Sequence, residues 1–515
     1  MQTTGKSATA KPLFEGADWT FDLVNKAYDA CAEVGLEELG LDIYPNVIEV
    51  ITSEQMLDAY ASIGLPRMYR HWSFGKQFVR DEMQYRKGAR ALAYELVINS
   101  DPCINYIMEE NSMTMHTLVL AHAAMGHNHF FKNNYLFQEW TRADAILDYL
   151  DFAKAYVTRC EEKHGVAAVE QVLDAAHALM NQGISRYPGA NKHVSLAKER
   201  ERALARHLYE EQSFNDLWRT VPKQQSAVAD GEDAEKPKAQ ANLPEDNLLY
   251  FLEKTAPKLA DWERELLRIV RNLATYFYPQ RQTKVMNEGC ATWTHFYIMN
   301  RLYDKGLLTE GSMLEFLHSH SSVTMQPAWN DRRFSGMNPY ALGFAIMRDI
   351  ERMASEPTEE DKEWCPDVAG CGDPVGALKR VWSEFRDDSF ILQYMSPKVM
   401  RDFRFFGIHD ESQHPHVFVS SIHDERGYRR VRRALSQQYC VSGSDPDLQI
   451  IDADLQGARR LVVQHKVRNG VLLDRANCER TLYHLARLWG YRVKLIEVDD
   501  ETGKILKEHE NLRMP

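Results

Sequence analysis

From Asp18 to about Trp218, apolar residues recur three and four positions apart, as in WTFDLVNKAYDACAEVGLEELG and DAILDYLDFAKAYVTRCEEKHG. That spacing gathers them on one stripe of an α-helix and predicts a helical assembly. From about Val221 to Glu245 the large apolar residues give way to Ala, Gln, Lys, Glu and Pro. A segment of that composition buries too little apolar surface to offset its chain entropy, so it reads as a solvated linker. Helical spacing returns from Leu248 to Lys305 and continues through LTEGSMLEFLHSH and NPYALGFAIMRDIERMA. Neither helical stretch has a terminal boundary of its own. Residues 14–220 and 246–407 are therefore expected to be two halves of one core domain, with 221–245 as a flexible linker or insertion between them.

After the aromatic and basic run MRDFRFFGIHD the pattern shortens to strand-like pieces, HVFVSSI, LQIIDAD, RRLVVQHKV and RVKLIEVDD. The helical segments GYRRVRRALSQQY and RANCERTLYHLARLWG lie between them. A β-α-β-β-α-β order predicts a small ferredoxin-like α+β domain over residues 416–515. The fold class expected is thus mainly α: a large helical core, zincin-like if its histidines gather on a metal, followed by a small α+β domain.

Composition narrows the function. With 515 residues and 44% hydrophobic content the chain can bury a sizeable core. Its 62 Lys+Arg against 74 Asp+Glu give a net charge of −12 with no tract like a nucleic-acid-binding arm, which argues against nucleic acid as the main partner. The start, MQTTGKSATAKPLFEGADW, is polar, and no apolar run reaches the roughly 18 residues of a membrane span. The expectation is a cytoplasmic protein with no membrane insertion. Eight scattered cysteines form no CxxC pair, and Cys365 and Cys371 are the only close two, so reduced, structural thiols are expected. GxGxxG, GxxxxGK[ST] and GxSxG motifs are all absent.

Candidate chemistry concentrates in HTLVLAHAAMGHNHFFKNN, which holds His116, His122, His127 and His129. On an ideal helix, at roughly 100° per residue, His122 and His127 lie about 140° apart, so a shared ligand needs a bend at Gly126 or a π-bulge. Ala123 stands where an HExxH zincin carries its catalytic Glu, so a general base has to come from elsewhere. In VMNEGCATWTHF, Glu288 and His295 are seven apart and share a helix face. The string NEGxA is similar to the segment that supplies the third zinc ligand in aminopeptidase-N-type gluzincins. LEFLHSHSSVTMQP contains an ExxH pair, Glu315 and His318, followed by His320. A di-iron bundle needs a second such pair, and the other match, Glu411 to His414, lies in a proline-broken loop. AYELVINSDPCINYIMEEN offers Glu95, Glu109 and Glu110 as carboxylates just before the histidine helix.

Taken together, YPNVIEVITSEQMLDAYASIGLP, YRHWSFGKQF, LAYELVINSDPCINYIMEEN, AHAAMGHNHFFKNN, YFYPQRQTKVMNEGCATWTHF, NPYALGFAIMRDI and SPKVMRDFRFF resemble the blocks of the SpoVR (stage V sporulation protein R) family over nearly the whole chain. His122 and His127 match its HxxxGH motif, and Glu288 and His295 its MNEGxAxxxH motif, whereas His116 and His129 match no fixed position. The resemblance implies a role in sporulation, the cell envelope or stress response. It also implies two partners, a PrkA-type serine kinase and a von Willebrand-like protein of the YeaH/YhbH type.

The expectation that joins residues and resemblance is a metal-dependent hydrolase with a divergent zincin-like site. His122, His127 and Glu288 would be ligands to a divalent metal, zinc first and iron or manganese next, with His295 in the first or second shell. Glu95 or Glu110 would be the base, or Tyr340 would polarise the substrate. The rival is a non-catalytic regulator working in a complex with the kinase and its companion, and a carboxylate di-iron protein follows only if Glu315 and His318 converge with Glu288.

Overall fold

The computed structural model describes residues 11–61, 68–86, 95–186, 244–328, 331–405, 407–409, 418–421, 424–454, 459–468 and 470–510. All but the last two residues of the linker expected at 221–245 lie outside this set. The chain divides into two compact units, Met1–Asn181 with Lys258–Pro446, and Gln182–Pro257 with Asp447–Pro515. No helix among the described residues is long and apolar enough to cross a membrane.

The first unit is mainly helical, as the spacing of apolar residues predicts, but it also contains a sheet that the pattern hides. Strands β1 (Asn46–Ile51), β2 (Glu95–Ile98) and β3 (Cys103–Met108) lie in the order β1-β3-β2. β1 runs parallel to β3, pairing Asn46 with Cys103, and β2 runs antiparallel to it, pairing Glu95 with Ile107. All six residues of the central strand, CINYIM, are buried, so the sequence lacks the in-out alternation that would betray a strand. Against this sheet packs an almost continuous helical rod, Met113–Val119, Leu120–His127 and Asn128–Asn133, which in turn lies on the helix Lys284–Asp304. The helix Pro339–Ser355 covers the far side of Lys284–Asp304.

Close helix contact depends on residues without side chains. A Cβ built on Gly126 would sit 2.6 Å from Ala291 Cα, and one on Gly289 would sit 2.7 Å from Gly343 Cα. Any larger residue at these two positions would push the helices apart. The N-terminus of Lys284–Asp304 is held by Asp387, which is buried and accepts from the backbone N–H groups of Val285 and Met286 at 2.9 Å each. A carboxyl group suits a helix N-terminus, where the first N–H groups have no partner within the helix and its oxygens can accept from them.

Strands β4 (Gly407–His409) and β5 (Phe418–Ser421) pair antiparallel, and the helix Glu425–Tyr439 packs on Asp387–Tyr394 within the first unit. The second unit carries a four-stranded sheet, β6 (Leu448–Ala453), β7 (Leu461–Val467), β8 (Val493–Asp499) and β9 (Ile505–Glu510), in sequential order. The helix Arg475–Trp489 connects the parallel pair β7 and β8. The α+β character is as expected, but the order is β-β-α-β-β. The ferredoxin-like arrangement is corrected, because the first predicted strand and helix belong to the other unit. The short helix Leu248–Thr255 belongs to this second unit, with Phe251 stacked 6.0 Å from Trp489.

Asp387 yields a prediction. Burial pushes its carboxyl up from 3.8 to about 7, against the lowering pull of the backbone N–H groups of Val285, Met286 and Lys284. Between those values the folded chain keeps a proton that the unfolded chain has released, so this group's contribution to stability falls as pH rises from about 4 to 7. Urea unfolding of the parent and Asp387→Asn at several pH values checks this: the parent's advantage should shrink across the window, and an advantage that grows with pH would contradict it.

Candidate metal centre

The histidine segment solves its spacing problem with a π-helical turn. Over Leu120–His127 the backbone bonds from residue i to i+5, ending with Asn128 N–H donating to Ala123 O. In this wider turn residues five apart come round to nearly the same side, which an α-helix denies to His122 and His127. A side-chain cluster steadies the turn. Asn46 Nδ2 donates to Ala124 O at 3.0 Å, while its Oδ1 accepts from Asn128 Nδ2 at 2.9 Å and Asn105 Nδ2 at 2.8 Å. Asn46 and Asn105 stand on β1 and β3, so the sheet fixes the turn that aims the histidines.

Three further elements bring side chains to the same point. Glu95 Oε1, from the start of β2, lies 3.7 Å from His122 Nε2. Glu288 Oε2, from the helix Lys284–Asp304, lies 3.8 Å from His122 Nε2 and 3.6 Å from His127 Nε2. Ligand atoms of Glu95, His122 and His127 lie within 4.8 Å of one another. Tyr340, at the start of Pro339–Ser355, lies close enough to Glu288 to help hold its carboxyl low, and it stacks over His122 with ring centres 6.3 Å apart.

The imidazoles are oriented from behind. His127 Nδ1 bonds Asn287 Oδ1 at 2.9 Å, which makes Nδ1 the protonated nitrogen and leaves the Nε2 lone pair facing Glu288. His122 Nδ1 meets His295 Nδ1 at 2.9 Å, and His295 Nε2 meets His320 Nδ1 at 2.9 Å. Three imidazoles thus form a chain ending at the carboxylates. For His122 Nε2 to offer a lone pair, its Nδ1 must donate to His295, which in turn donates to His320.

Burial governs the electrostatics. It raises the Glu95 carboxyl above the usual range, with His122 pulling only partly the other way. It would raise Glu288 too, but His122, His127 and Tyr340 outweigh it and hold that carboxyl low. Burial pushes His127 down to about 4, and His295 well below its ordinary value. His122 is the exception: desolvation is outweighed by Glu288 and Glu95, which hold it above the normal imidazole range.

A divalent cation fits these donors. Glu288 Oε2 is buried and accepts no hydrogen bond, while its contacts of 3.6–3.8 Å to two imidazole nitrogens are too long for one. That spacing is close to the roughly 3.4 Å expected between neighbouring ligands around a tetrahedral zinc.

Among the residues that the sequence singles out, His122, His127, Glu288, Glu95 and Tyr340 come together. His295 stands behind His122 rather than beside the other donors. Glu110 is corrected: it is exposed in the turn after β3, where it accepts from Ser53 N–H at 3.3 Å. The di-iron arrangement falls as well, since Glu315 accepts from Ser112 Oγ and His318 is exposed. His129 turns away to Asp42 and Trp382, and His116 is buried against Trp19. Asn46, Asn287 and His320 are supporting residues that the motifs did not single out as such. His320 had a signal in its position two residues after the ExxH pair, while the two asparagines had none beyond adjacency to a strand or to Glu288.

Fold and site together define a mainly helical protein with a buried His/Glu cluster built across a π-turn, a short sheet and a glycine-packed helix pair. The sequence profile described as "SpoVR like protein" matches residues 18–444, and that described as "SpoVR-like C-terminal domain" matches residues 446–500. The chain belongs to the SpoVR family. It is 52% identical over 493 residues, 96% of this chain and 95% of the relative, to the uncharacterized protein YcgB of Escherichia coli (strain K12). No solved structure matches the chain. The boundary between the two family profiles lies within two residues of the division of the structure after Pro446, although Gln182–Pro257 of the second unit falls inside the first profile.

Packing at Gly126 gives the second prediction. Gly126→Ala should cost roughly 1–3 kcal/mol, because the added methyl must displace Ala291. Gly16→Ala, with nothing within 4 Å of the new atom, should stay within about 0.5 kcal/mol of the parent. Urea unfolding of both variants measures the difference, and equal stability would refute the close-approach argument.

Proposed function

We propose that this SpoVR-family chain is a metal-dependent hydrolase of the cytoplasm, with His122, His127 and Glu288 holding a divalent cation, zinc first and iron or manganese next. The observation that carries this reading is the buried Glu288 Oε2, without a hydrogen bond and facing two imidazole nitrogens. A cation there would supply Lewis-acid polarisation of a substrate oxygen.

The remaining roles fall to the chain's own groups. Glu95 and Glu288 occupy environments that drive their pKa values apart, the pattern expected when one carboxyl handles a proton and the other stays ionised. Glu95 therefore takes the role of base that Ala123 cannot fill. Tyr340 orients Glu288 and offers a hydroxyl beside His122, while His295 and His320 keep His122 in the tautomer that presents Nε2. Set beside zincins, the arrangement replaces HExxH on an α-helix with two histidines five apart on a π-turn and moves the base to a strand. The sporulation or stress-response setting, with a PrkA-type kinase and a YeaH/YhbH-type partner, belongs to the same proposal through the family.

The test is elemental analysis of full-length, untagged protein grown with zinc, iron and manganese. About one equivalent of metal is expected in the parent and a large loss in His122→Ala, His127→Ala and Glu288→Gln. Glu95→Gln should keep the metal while losing hydrolysis of a panel of amide and ester substrates. If Glu95→Gln sheds metal as Glu288→Gln does, Glu95 is a ligand and not the base. A folded, metal-free parent would overturn the hydrolase reading in favour of a regulator that works through its kinase partner.

A further inference from the structure

The helix Glu425–Tyr439, ERGYRRVRRALSQQY, carries five arginines and one glutamate in a chain whose net charge is −12. Two of the arginines are committed to the fold. Arg429 pairs with Glu425 at 2.8 Å, and both Arg429 and Arg432 lie 4.8 Å from the Trp364 ring centre, clasping it. Arg432 also donates to Gln393 O at 3.3 Å. On the buried side, Gly427, Leu435 and Ser436 turn inward, and Ser436 Oγ donates to Asp388 O at 2.7 Å. The orientation of the helix about its axis is therefore fixed.

That orientation leaves Arg426, Arg430 and Arg433 exposed. Among the described residues none of the three takes part in an ion pair, hydrogen bond or ring contact. Their spacing of four and three puts them on one face, with steps of about 6 and 4.5 Å along the axis. Like charges at this spacing repel and cost helix stability.

We propose that this stripe docks an acidic amphipathic helix of a partner protein, with the three guanidinium groups meeting carboxylates at matching three- and four-residue spacing. Guanidinium suits this task because its planar fork takes a carboxylate with two parallel hydrogen bonds. The occupant is a short acidic segment and not a long polyanion or an anionic membrane, because the positive stripe spans only about 10 Å. Beyond it an extended polyanion would meet the net negative surface of the rest of the chain, and screening confines attraction to about 8 Å.

Fluorescence anisotropy with the full-length chain tests this. The probes are a labelled synthetic helix with Glu at four- and three-residue spacing, the same composition shuffled, a single-stranded RNA and phosphatidylserine vesicles. The spaced peptide should bind the parent more tightly than the other three probes, and its binding should weaken as salt rises. The triple variant R426Q/R430Q/R433Q, verified by circular dichroism, should lose about tenfold in affinity, the sum of three exposed ion pairs. If the triple variant does not fold, Arg430→Gln alone should lose about twofold. Equal binding by the folded variant or by the shuffled peptide would overturn the proposal, as would tighter binding of RNA or vesicles. Metal content is measured in parallel and should not change, so failure here is separable from failure of the hydrolase reading.

Discussion

One backbone constraint underlies the site: the π-turn at Leu120–His127 must lie almost in contact with the helix Lys284–Asp304. Gly126 against Ala291 permits that approach, and Gly289 against Gly343 repeats it on the opposite side of the same helix. A methyl group at either glycine would move Glu288 relative to the two histidines, and displacements of about 1 Å are enough to disable a ligand or catalytic constellation. The glycines carry no chemistry themselves. They set the distance at which the chemistry becomes available.

The turn has its own requirement, because a π-helical register offsets backbone carbonyls that an α-helix would pair differently. Asn46 takes up Ala124 O, and its other end is tied to Asn105 and Asn128. The small sheet therefore does more than cover the helices: β1 and β3 supply the polar groups that hold the turn, and β2 supplies Glu95. Removing the sheet from the fold would remove both Glu95 and the geometry of its neighbours.

Much of this was legible in the sequence, and the reasons for the misses are physical. Helical spacing identified the core, and the misfit of His122 and His127 on an ideal helix pointed directly to a bend or π-bulge. Glu288 and Glu95 were found because carboxylates near histidines are chemically conspicuous. The strands were hidden because a fully buried strand such as CINYIM shows no alternation, and the small-domain topology was misassigned because strand propensity does not say which sheet a strand joins. Glu110 was indistinguishable from Glu95 by composition. Only the pairing of β2 with β3 directs one carboxylate toward His122, while the turn after Met108 leaves the other in solvent. Asn46 and Asn287 act through single hydrogen bonds to groups distant in sequence, and no local pattern encodes that.

Placing Glu95, Glu288, His122 and His127 together carries an energetic cost, because burying carboxylates and imidazoles removes hydration that their mutual contacts only partly replace. The contacts between Glu288 Oε2 and the two Nε2 atoms, at 3.6 and 3.8 Å, are longer than hydrogen bonds, so they recover less than a close ion pair would. A fold that sought stability alone would shorten these contacts or replace the cluster with apolar side chains. Here the surrounding structure does the reverse. Asn287 and His295 hold both imidazoles with their second nitrogens toward the carboxylates, and the glycine contacts prevent the helices from relaxing. Donors held apart at ligand spacing by rigid neighbours are what a cation requires, and the free energy its binding returned would offset the cost of assembling them.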